Sequence, residues 1–174
     1  MIRAGDYSVK DKGVNKNNWA FSSTTKDAQA QAGGVDGTLE ATLKIDHTTA
    51  TGNVYQIGRV IIGQIHATKD EPCRLYYRLL PGQTKGSIYF AHEPRKKFGK
   101  EQWHRLIGTQ LPDYWHQDAK PSEPEDGIAL GEVFSYRIHV DGNKLTVTII
   151  RDGKPDVSKT VDMSKSGYEA PSQW

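Results

Sequence analysis

The chain has 174 residues and a formal net charge of +2, from 23 Lys and Arg against 21 Asp and Glu, and 36% of it is hydrophobic. That length suits a single domain, residues 1–174, able to bury well over half of the surface its unfolded form exposes. No apolar run approaches the roughly 18 residues of a membrane helix, and the near-balanced charge excludes the strong field of a nucleic-acid binder.

In chain order, the opening "MIRAGDYSVKDKG" carries no basic leader followed by an apolar segment, so no signal peptide is visible there. "NNWAFSS" and "GTLEATLKI" read as strands, from their β-branched and aromatic residues. Between them "TTKDAQAQAGG" suits one short turn of helix at most, because it ends in two glycines and has no apolar stripe. The long run "VYQIGRVIIGQIHA" is the next expected strand, and it finishes on Gln64, Ile65 and His66. Side chains alternate along a strand, so Gln64 and His66 share a face while Ile65 points to the other. Their separation of ~6.6–7 Å is about the width of a pyranose ring. A polar pair beside an apolar packing face is how a sandwich builds a site on an open sheet; it is also how the wet face of any strand looks.

"CRLYYRLL" follows and contains Cys73, the single cysteine, which excludes an intrachain disulfide. With no CxxC and no thiol-enzyme pattern around it, Cys73 reads as a buried, inert thiol. "GSIYFAHE" and "QWHRLIG" flank a basic run, "EPRKKFGKEQWHR", that places Arg95, Lys96, Lys97, Lys100 and Arg105 around a hairpin tip. Such a run is either a solvated tip or an attractor of polyanions. Leu111 to Gly127 is a long irregular segment rich in Pro and acids, of a length found mainly in functional or disordered loops. Within it Tyr114 and Trp115 are candidates for stacking on a sugar ring, or for pinning the loop to the domain. The last expected strands, "VFSYRIHV" and "KLTVTIIR", flank Asp141-Gly142, a strong hairpin signal because glycine accepts the positive φ of a tight turn. The whole pattern is all-β, a sandwich or a barrel, with no internal repeat.

"QIH", following "RVIIG" and leading to "PCRLYYR", resembles the Gln-(Ile/Val)-His motif of the family 7 polysaccharide lyases, the alginate lyases with a β-jelly-roll fold. "IRAGDYSVKDKGVNKNNWAFSS", "YRIHVDGNKLTVTI" and "SGYEAPSQW" resemble the corresponding parts of those enzymes, in the same order. The resemblance implies a jelly-roll sandwich of two antiparallel sheets, of the concanavalin or lectin-like kind, acting on alginate by β-elimination. Removing the C5 proton of a uronate places a second negative charge beside its carboxylate, so donors must neutralise the developing aci-carboxylate. The resemblance assigns that role to Gln64 and the role of base to His66, whose residue type is largely neutral near pH 7. Ile at the middle position, Ile65, inclines the implied substrate toward guluronate. The implied partner is an anionic polysaccharide, with neither nucleic acid nor membrane, and the implied protein is secreted or periplasmic and monomeric when intact. No cofactor and no metal are expected.

Two further motifs of the family are not in the chain. One is an Arg-(Ser/Thr)-Glu-Leu-Arg strand that in the family precedes the equivalent of Met1; the other is a Tyr-Phe-Lys-Ala-Gly-x-Tyr strand that follows the equivalent of Trp174. Neither Arg3 nor Tyr168 stands in a motif position, so the family's Arg and Tyr roles pass to neither. The expectation is a domain incomplete at both termini, with open strand edges and weak or absent lyase activity. A non-catalytic, lectin-like glycan-binding sandwich is the alternative, since fold does not separate binding from catalysis. A retaining glycosidase would need paired carboxylates about 5–5.5 Å apart, and no strand carries such a pair. His47, His92, His104, His116 and His139 show no paired ligand spacing.

Overall fold

A computed structural model describes residues 19–67, 70–109 and 121–169. Its elements are β1 (Trp19–Ala20), α1 (Lys26–Gln31), β2 (Gly34–Val35), β3 (Gly37–Leu43), β4 (Arg59–Ile65), β5 (Cys73–Arg78), β6 (Lys85–His92), β7 (Gln102–Ile107), β8 (Ile128–Ala129), β9 (Phe134–Asp141), β10 (Lys144–Ile150) and β11 (Val157–Asp162). The helix is the single short turn expected: Thr25 caps it by accepting from the Ala28 N–H at 3.3 Å, and Ala28 is its buried residue.

Two antiparallel sheets face each other. One has the order β11-β10-β9-β3; the other runs β4-β5-β6-β7, with β8 paired to the start of β6. β1 and β2 form a small parallel pair. Period-two alternation explains the core directly. Phe134, Tyr136, Ile138 and Val140 of β9 and Leu145, Val147 and Ile149 of β10 point inward, against Leu75, Tyr77, Ile88, Phe90 and Ile107 of the other sheet. The outward positions of β9, β10 and their neighbours pair polar groups across strands: Thr42 with Ser135, Thr146 with Thr160, Thr148 with Ser158, and Glu40 with Arg137.

Several expectations shift in detail. Among the described residues of "NNWAFSS" two, Trp19 and Ala20, are strand, and the long run beginning at Val54 becomes strand only from Arg59. The reason lies in Gly58, whose φ of +72° and bond from its N–H to the Thr49 carbonyl, 2.7 Å, belong to a turn. The hairpin loop is Gly142-Asn143, one residue beyond the Asp-Gly step, and Gly142 supplies the positive φ of +56°. β11 was not anticipated. Only Val157 and Val161 of "VSKTVD" are apolar, and edge pairing to β10 rather than burial makes it a strand.

Candidate active site

β4 carries the motif, and a bulge decides which way it faces. Ile61 pairs with Tyr76 and Gly63 with Leu75, so Ile62 is an extra residue in the strand. Directly opposed residues share a face, so Arg59, Ile61 and Gln64 lie on the outer face with Arg78, Tyr76 and Arg74. Simple alternation would have put Arg59 and Ile61 on the face opposite Gln64; the bulge re-aims them. Gly63 and Ile65 face the core. A Cβ on Gly63 would stand 2.8 Å from Cζ and from the hydroxyl oxygen of Tyr136 on the facing sheet, so glycine there is what lets Tyr136 close over the strand. Ile65 packs against the core cluster opposite Cys73.

His66 lies one residue past the end of β4, with its side chain 36% exposed. Its Nδ1 is 2.5 Å from the Ala67 carbonyl oxygen and its Nε2 is 3.2 Å from Glu71 Oε1. Glu71 Oε2 lies 3.8 Å from Nε of Arg74. Arg74 in turn donates to Glu93 at 3.3 Å and to Glu101. The register places Arg74 directly opposite Gln64. Gln64 and His66 therefore flank one charged network, and the structure brings them together on the outer side of the sheet. Burial first, and a hydrogen bond with Glu93 second, push the Glu71 carboxyl above its ordinary range.

The floor beside this network is aromatic. Tyr76 stacks on Tyr89 at 5.4 Å between centroids, and Trp103 tilts against both at 5.7 and 5.8 Å. The guanidinium of Arg59 sits 4.9 Å from the Tyr76 ring and 5.5 Å from that of Tyr55. Arg78, fully buried, donates to the carbonyls of Ile57 at 3.2 Å and Val54 at 2.8 Å, tying the preceding loop to the sheet. Burial pushes the Tyr89 phenol up to about 12, which keeps it neutral.

The remaining sequence candidates fall elsewhere. Tyr114, Trp115 and His116 lie outside the described residues. His92 is buried between the Pro72 carbonyl oxygen, 2.8 Å from Nδ1, and the Ser166 hydroxyl, 2.7 Å from Nε2. His104 lies over Phe90, His139 is bonded to Thr38, and His47 is bonded to the Asp46 carbonyl. Among the described residues no three His, Cys, Asp or Glu side chains are grouped to hold a metal ion. Arg95 of the basic run donates to the Gly167 carbonyl at 3.1 Å. Tyr168 is buried and its hydroxyl donates to the Glu93 carbonyl, and burial pushes its phenol well up. Cys73 is buried, and burial raises its thiol too. Sequence reading passed over Glu71, Arg74, Glu93 and Glu101. Glu71 is five positions past the motif and the other three come from separate strand ends, so no spacing rule finds them.

The family model described as "Alginate lyase" matches residues 5–174. An alginate lyase from Klebsiella pneumoniae is 64% identical over all 174 residues, and the chain spans 57% of that protein's length. The crystal structure of the alginate lyase from Klebsiella pneumoniae superposes with a TM-score of 0.88, at 64% identity over 97% of this chain and 59% of that one. An exolytic PL7 alginate lyase from Zobellia galactanivorans superposes at 0.65, with 31% identity over 74% of this chain and 44% of its own. The sandwich is the jelly roll expected from the sequence.

Proposed function

The chain belongs to the alginate lyase family, and on that premise we propose that it cleaves alginate by β-elimination, with Gln64 and His66 as its contribution to the reacting site. The observation that carries this reading is their placement: Gln64 opposite Arg74 on the outer face, and His66 joined to the same network through Glu71. Gln64 offers its amide to the C5 carboxylate as negative charge builds there. His66 Nε2 takes the C5 proton, the electron pair left on C5 forms the C4–C5 double bond, and the C4–O4 bond breaks with its pair on O4, which takes a proton from water. The family's Arg and Tyr roles are assigned to no residue of this chain. Tyr168 does not fill the second, because its hydroxyl is committed to the Glu93 carbonyl.

Guluronate-containing blocks are the proposed substrate. Ile65 supports this only indirectly, since it faces the core and acts through the position of β4 rather than by touching sugar. A secreted or periplasmic location and a monomeric state belong to the same proposal. The test is incubation with alginate at high protein concentration. Slow release of ultraviolet-absorbing unsaturated uronate is expected, falling at least about a hundredfold in His66→Ala, in the range typical of acid–base groups. Alginate bound without unsaturated product would return the protein to a glycan-binding role; neither binding nor product would sink the reading.

A further inference from the structure

We infer that Glu71 is a positioning residue for His66: lying shortly before β5, it grips the imidazole at Nε2 and holds one proton in common with it. This rests on the reading of His66 as the base and deepens it. The geometry settles where the hydrogens lie. A carbonyl oxygen only accepts, so the 2.5 Å contact with Ala67 requires a proton on Nδ1. In the neutral ring the lone pair is then on Nε2, 3.2 Å from a Glu71 oxygen. Two acceptors facing each other at hydrogen-bonding distance need a proton between them. The pair therefore binds one proton in common, as imidazolium against carboxylate or as imidazole against carboxylic acid.

Glu71 is held for this task from several elements. Arg74 of β5 approaches its second oxygen at 3.8 Å, and Glu93, after β6, hydrogen-bonds to it. Glu101, before β7, shares Arg74, and Tyr168 faces Glu71 from the C-terminal segment. Burial and Glu93 both favour the protonated carboxyl, which helps the pair keep its shared proton. Nε2 has one lone pair, so it can take the C5 proton only in the form of the pair that has first given the shared proton to solvent through the Glu71 side chain, which is 22% exposed.

The test uses the 174-residue chain and Glu71→Gln, which keeps the shape and removes the acid. Nitrogen-15 spectra of the His66 ring come first. In the wild type Nε2 is displaced by the shared proton, and in E71Q it moves to the position of an ordinary imidazole nitrogen. The pH profile of lyase kcat/KM comes second. Its acid limb moves about one unit lower in E71Q and kcat falls about tenfold, with KM within about twofold. A purely structural role would lower thermal stability and leave both readouts where they were. If E71Q does not fold, Glu71→Asp withdraws the carboxylate by one methylene, and the same displacements are expected at smaller size. An Nε2 signal or a pH limb indifferent to these changes overturns the inference. A wild-type chain that forms no unsaturated product overturns the base reading, while the Nε2 signal still decides whether the pair exists.

Discussion

Gly63 shows how one residue without a side chain positions two that have them. Its missing Cβ leaves room for the Tyr136 ring, and the next residue in the chain is Gln64. Gly63→Ala forces an overlap of side chain and ring that neither sheet can absorb freely. We expect it to cost about 1–3 kcal/mol, the usual range for overpacking a core, read as a lower melting temperature. Any activity should fall further than stability alone explains, because β4 moves with the strain. The glycine is visible in the sequence as part of "GQIHA", but its reason is not, since Tyr136 lies far along the chain on the other sheet. His66 poses the same contrast. Its residue type and motif are legible, whereas the Glu71 contact that governs its proton exists only once β4 and β5 have paired.

The elements around the site depend on long-range anchors more than on their own propensities. The loop before β4 contains an apolar stretch that reads as strand, yet it is turned and tied down through Arg78, whose guanidinium reaches the carbonyls of Val54 and Ile57. Arg78→Ala would leave those acceptors in a buried setting without their donors. A loss of roughly 3 kcal/mol or more is expected, because hydrogen bonds to a charged group are among the stronger ones. Faster amide exchange confined at first to residues 49–58 would identify loop release as the cause; uniform loss of protection would refute it. At the opposite end of the long loop, Asp126 receives two bonds from Arg151 at 2.8 and 2.7 Å and one from Lys154 at 2.9 Å. These partners hold its carboxyl far below the ordinary range. That loop was expected to be irregular, and residues 121–127 are, but the pairing that secures them joins positions 25 residues apart and has no local signature.

On the scale of the whole molecule, buried His92 and half-buried His104 make folding sensitive to acid. Burial lowers the His92 pKa, against a smaller opposing effect of its bond to Pro72, and burial with Lys159 and His92 lowers that of His104. The unfolded chain then takes up protons before the folded one does. Stability contributed by the neutral rings is complete above about pH 6.5, the ordinary value, and is lost as pH falls from there through the folded-state values. Urea unfolding measured from pH 8 to pH 5 should show a declining midpoint over that window, and His92→Gln should flatten part of the decline. An unchanged slope in that variant would remove His92 from the account. The amino-acid sequence by itself determined the all-β class, the β9–β10 hairpin with its inward and outward faces, the motif residues Gln64 and His66, and membership of the lyase family. Those follow from period-two alternation, from turn residues and from short motifs, all of them properties of neighbours in the chain. Only the tertiary structure decided that a bulge turns Arg59 and Ile61 to the face of Gln64, that β11 exists as an edge strand, and that Glu71, Glu93 and Glu101 converge on Arg74, with Glu71 reaching His66. These depend on strand register and on contacts between distant segments, which become definite only when the sheets have paired and packed.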